Sequence, residues 1–101
     1  MIYVDPLFTW IGDYRDKDAA RTGGRNRHQW CHMFTDKRDY TELHHMAQQI
    51  GLRQEWFQEN HYDLTPVKRA LAIRLGATEV DRMQAILIRR KLKKGSDHRG
   101  A

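Results

Sequence analysis

Glu59-Asn60-His61-Tyr62-Asp63-Leu64-Thr65-Pro66 is the stretch on which the reading of the fold turns. Thr65 followed by Pro66 marks a helix start: a threonine N-cap, then proline at the first helical position, where its missing N–H leaves no bond unmade. The helix that follows is expected to bury Val67, Ala70, Leu71 and Leu75 and to stop at Gly76. On this reading His61-Tyr62-Asp63-Leu64 is a loop, and Glu55-Trp56-Phe57 is the brief third strand that leads into it. An imidazole, a phenol and a carboxylate in a loop suit chemistry better than packing.

Outward from this stretch, Ile2-Tyr3-Val4 reads as a first strand ended by Asp5-Pro6, and residues 11–29 as a long charged loop around Gly23-Gly24. Trp30 to Phe34 reads as the second strand, with Trp30, His32 and Phe34 on one face and Cys31 and Met33 on the other. Asp39 with Glu42 has the spacing of a capping box, ahead of a helix whose buried stripe is Leu43, Met46, Ala47 and Ile50 and whose stop is Gly51. Thr78-Glu79-Val80 reads as a fourth strand. Asp81 and Gln84 cap a third helix carrying Met83, Ile86 and Leu87. The order predicts a small three-layer α/β domain over residues 1–92, its mostly parallel sheet of three to four strands flanked by about three helices. Residues 93–101 read as a basic, flexible tail.

Composition narrows the function. The net charge of +5 is uneven: residues 82–101 hold seven Lys and Arg against one Asp, while residues 1–81 hold eleven against twelve Asp and Glu. The basicity therefore belongs to the C-terminal end, and a whole-domain nucleic-acid footprint is not implied. No apolar run approaches the roughly 18 residues of a membrane span, and the first residues lack the basic and apolar regions of a signal peptide. The single cysteine, Cys31, has no internal partner, and a reducing, cytoplasmic setting is the expectation.

In an open parallel sheet, ligands gather outside the carboxyl ends of the strands. Asp5, Asp36, His61 and Asp63 each follow a predicted strand, and His44 lies just over one turn into the next helix. Candidate catalytic residues are His32, His44, His61, Tyr62 and Asp63. Candidate ligands for a divalent metal are His32, Asp36, His44, His61 and Asp63, although their spacing matches no recognised ligand signature. Arg21, Arg25 and Arg27 in the long loop, with Lys68 and Arg69 in the helix after Thr65, are candidate phosphate contacts. Each has a bland reading as well. Asp5 before proline is an ordinary turn residue, Glu42 is explained by the cap, Tyr62 by packing, and His28, His45 and His98 by solvation. Adjacent strand residues point to opposite faces, so Cys31 does not pair with His32. The run from Arg89 to Lys94 suits a helix C-terminus without any ligand, and could equally contact phosphates.

Taken together, Trp30-x-His32 followed by Thr35-Asp36, then Glu42-Leu43-His44 and His61-Tyr62-Asp63, with Gly51 and Gly76-Ala77, resemble the bacterial and phage family known as domain of unknown function 4031. The opening Tyr3-Val4-Asp5-Pro6 is similar too, so the likeness spans roughly residues 1–80. The resemblance implies membership and marks residues. It brings no activity with it. Cys31 stands where other members can carry serine, which argues against a nucleophile or a required ligand.

Three functions fit these observations. A small enzyme could act on a phosphate-containing substrate, a nucleotide or nucleic acid, through the His/Asp cluster with metal assistance. A non-catalytic module could bind the same ligands in the same cleft. A phage-type interaction or inhibitor protein could offer its loop and basic tail to an acidic protein partner. The number of titratable groups brought to one edge favours the enzyme.

Overall fold

The sheet is organised around one long strand that is hydrogen-bonded along both edges. The computed structural model describes residues 1–11 and 27–98, so most of the 11–29 loop lies outside the described residues. Strand β3 (Arg27–Thr35) pairs antiparallel with β1 (Ile2–Val4), with β2 (Phe8–Ile11) and with β4 (His61–Leu64). Val4 faces Met33 and Phe8 faces Trp30, so β1 and β2 follow one another along one edge of β3, with a slip of one residue at Asp5-Pro6-Leu7. The opposite edge belongs to β4. Strand β5 (Thr78–Glu79) runs parallel to β1 and completes a five-stranded mixed sheet.

The expected mostly parallel sheet is therefore corrected: it is mostly antiparallel. The cause lies in the quoted stretch. His61–Leu64 is itself the strand, and Glu55-Trp56-Phe57 is not one, since Gln54–Trp56 forms a 3₁₀ turn. After that turn the chain reverses over Gln58–His61, with Glu59 in the left-handed region at φ 53°. The reversal feeds β4 back against β3 in the opposite sense. A helix between two neighbouring strands does not make them parallel when a second turn follows it. Phe8–Ile11 is a strand that the sequence reading passed over.

Alternation sorts the side chains. Ile2, Val4, Cys31, Met33, Tyr62 and Leu64 form the core with helix α1 (Thr41–Gln49) and helix α2 (Pro66–Arg74). Trp30, His32, Phe34, His61 and Asp63 occupy the other face, toward helix α3 (Arg82–His98). Leu43, Met46, Ala47 and Ile50 are buried as read, and Gly51 takes φ +86° at the end of α1. The Asp39–Glu42 box does not form, because α1 begins at Thr41: Asp39 Oδ1 accepts from Thr41, while Glu42 lies beside Lys37 and the Met1 amine. The Asp81–Gln84 box does form, with reciprocal bonds of 2.9 and 2.7 Å.

The buried stripes of α2 and α3 are also corrected. Val67 is 70% exposed and Leu75 48%, whereas Ala72 is fully buried. Met83, Ile86 and Leu87 are exposed and Ala85 is buried. In both helices an alanine is the most deeply buried of the described residues, while Leu71 of α2, as read, and Ile73 pack against the core. Helix α3 also continues to His98, through the stretch from Lys93 that reads as tail.

Leu64→Ala is expected to destabilise the protein by about 2–5 kcal/mol, and Val67→Ala by no more than about 0.5 kcal/mol. Urea unfolding of both variants checks this. Equal losses would mean that α2 turns the other face inward.

Candidate functional site

His32 and Asp63 are directly opposed across β3 and β4, and His61 lies two residues from Asp63 on the same face. Cross-strand partners and i, i+2 neighbours are brought together by the pleat alone. The His32 and His61 rings meet edge to face, with centroids 5.0 Å apart. Asp63 Oδ1 lies 3.3 Å from His61 Nε2 and 4.0 Å from His32 Nε2. One ligand atom from each of the three residues falls within 4.8 Å of the others.

Both imidazoles are held from behind. Asp5 accepts two bonds from His32, from the backbone N–H at 2.6 Å and from Nδ1 at 2.7 Å. A carboxylate acceptor places a proton on Nδ1, and Nε2 is the ring atom that faces Asp63. Asn60 Oδ1 lies 3.2 Å from His61 Nδ1 and also accepts from Arg89 Nη2 at 3.2 Å. Arg89 reaches this point from α3, its guanidinium 5.8 Å from the Phe34 ring centre. Asp5 is itself anchored: Arg69 Nε donates to its carbonyl at 2.9 Å and Arg69 Nη2 to Glu79 at 3.3 Å.

The other candidates fall elsewhere. His44 and Tyr62 share a 2.8 Å hydrogen bond on the opposite face of the sheet, beside Phe57. Tyr62 alternates away from His61 and Asp63, and burial pushes its hydroxyl above the usual phenol range. Asp36 lies outside the cluster, accepting from the Met1 amine at 3.0 Å and the Tyr3 hydroxyl at 3.1 Å. Partial burial pushes its carboxyl up, but these two donors outweigh that and hold it below the usual carboxylate range. Lys68 Nζ donates to the Ile50 carbonyl at 2.7 Å, so it and Arg69 tie elements together on the core side. Arg21 and Arg25 lie outside the described residues, and Arg27 is described only by its backbone pairing with Ile11.

A parallel sheet would have offered a common carboxyl edge. This sheet has none, and the cluster sits on its face beneath α3. Sequence reading passed over Asn60, and it took Arg89 only as part of a basic run that could contact phosphates. The first adjoins His61 directly. The second lies in a basic run but four residues after Ala85, on the inner stripe of α3, and that spacing was the available signal.

The family described as Protein of unknown function (DUF4031) matches residues 14–92. The chain belongs to this family. No curated protein and no solved structure matches it. The DUF4031 match takes in His32, Asn60, His61, Asp63 and Arg89, and it begins after Asp5, which lies in the opening likeness of the 1–80 reading.

The thiol of Cys31 is buried on the core face, and burial, reinforced by the Asp5 charge and opposed by Arg69, pushes it up to about 12. Alkylation requires the thiolate. Iodoacetamide at pH 8 is therefore expected to leave native protein unmodified and to label it fully in urea, as mass spectrometry would record. Rapid labelling of the folded protein would contradict the placement of Cys31.

Proposed function

We propose that the protein is a divalent-metal-dependent hydrolase of phosphate esters, with the ion held by His32, His61 and Asp63. The observation that supports this reading is the convergence of two Nε2 atoms on one carboxylate, each ring fixed through its Nδ1 side. Ligand bonds of about 2.0–2.2 Å place donor atoms roughly 3–4 Å apart around an ion, and the spacings of 3.3 and 4.0 Å from Asp63 to the two Nε2 atoms lie in that range. Two imidazoles and a carboxylate favour Zn²⁺, Mn²⁺ or Fe²⁺ over Mg²⁺ or Ca²⁺, and three protein ligands leave positions open for substrate. An ion there would polarise a phosphoryl oxygen and lower the pKa of an attacking water. Asp5 and Asn60 orient the two rings, and Arg89 steadies Asn60. The neighbouring arginine charge suits an anionic substrate.

Calorimetric titration with Zn²⁺ or Mn²⁺ is expected to give one ion per chain. His61→Ala and Asp63→Asn should remove binding, Asp5→Asn should weaken it by about 10–100-fold, and His44→Ala should leave it unchanged. Hydrolysis of p-nitrophenyl phosphate by metal-loaded protein should disappear in His61→Ala and on chelation. Absence of metal binding, or equal effects of His44→Ala and His61→Ala, would remove the reading. Turnover that survives chelation but needs both His32 and His61 would transfer it to metal-free acid–base catalysis.

A further inference from the structure

A pocket of about 310 Å³ opens beside His32, between the β1–β2 bend and α3. Its walls differ in character. Arg82 and Arg89, two turns apart on α3, supply cationic side chains; Phe8, Pro6 and Ile86 supply apolar surface. Among the described residues of this wall the one carboxylate is Asp5, and both its oxygens are engaged by His32, leaving the wall with an excess of positive charge. Among the described residues Arg82 is exposed and has no carboxylate partner within salt-bridge distance, and Arg89 meets Asn60 and His61 rather than an acid. Two guanidinium groups left without a carboxylate at the mouth of one pocket suit a phosphate, whose oxygens they can bind in pairs. Phe8 stacks against the His32 ring, centroids 5.4 Å apart and planes 28° from parallel, so an aromatic side chain lines the pocket beside the histidine.

We infer that this pocket seats the substrate, and that the substrate is a small phosphate monoester carrying a planar ring. Arg82 and Arg89 hold the phosphate next to His32, and Phe8 with Ile86 holds the ring. The volume is at the lower end of small-molecule sites, which favours one compact molecule over a polynucleotide strand. The assignment rests on the hydrolase reading for its chemistry, but the pocket's recognition of an aryl phosphate does not depend on a metal.

Phenyl phosphate is the probe, titrated by NMR into protein held in EDTA. Binding is expected, with resonances of Phe8, His32 and Ile86 shifting, and tighter than binding of inorganic phosphate. Arg82→Ala should weaken both ligands at least tenfold. Phe8→Leu should remove the preference for phenyl phosphate while retaining phosphate binding. Arg82 is exposed, so its variant is expected to melt with the parent, and thermal unfolding of both variants verifies this. No binding, binding indifferent to Arg82→Ala, or displacement by a short single-stranded oligonucleotide at lower concentration would overturn the pocket. Binding without turnover in metal-loaded protein would uphold the pocket and remove the hydrolase instead.

Discussion

Hydrogen bonding along both edges of β3 is the constraint on which the molecule depends. Because β1 and β2 occupy one edge and β4 the other, every side chain from Trp30 to Thr35 is committed to a face with no freedom to slip. A shift of one residue would send His32 into the core and Cys31 toward the helix α3 side. Register, a matter of backbone pairing, therefore decides both what the core contains and which polar groups meet.

The slip between β1 and β2 links that constraint to the site. At Asp5 the backbone still bonds to His32, while the chain bends away toward Phe8. The bend leaves the Asp5 carboxylate facing the His32 ring, and Arg69 secures the same residue from the α2 side through its carbonyl. One residue thus belongs to the ladder, to the helix packing and to the polar cluster. A buried carboxylate is tolerable in this position because it is met by a backbone N–H and an imidazole.

Much of this was legible in the sequence where the signal is local. The strands at Ile2–Val4 and around Trp30–Phe34, the stripe of α1, the Thr65-Pro66 start and the Asp81–Gln84 box all rest on neighbours within a few residues. The direction of β4 was not legible, because it depends on the reversal at Gln58–His61, where Glu59 adopts a backbone state that no glycine announces. The inner stripes of α2 and α3 were misread for a related reason. Hydrophobicity points to Val67, Leu75 and Leu87, but it is Ala72 and Ala85 that are buried, so the side a helix turns inward is decided by packing and not by apolar content alone. His32, His61 and Asp63 were picked out correctly as neighbours, and His44 was not, because a parallel sheet gathers residues at an edge and an antiparallel one separates them by face.

The polar cluster and the helical wall of the neighbouring pocket come from different parts of the chain. His32, His61 and Asp63 stand on paired strands, while Arg82, Ile86 and Arg89 stand on a helix whose neighbouring positions 83 and 87 are exposed. Arg82 and Ile86 belong to the pocket wall, whereas Arg89 also meets Asn60 and His61 and so couples the helix to the groups beneath it. Such a division would let the outer positions of α3 vary while the paired strands keep the polar cluster in register, the sheet acting as the slow-changing part of the molecule and the helix as the adjustable one.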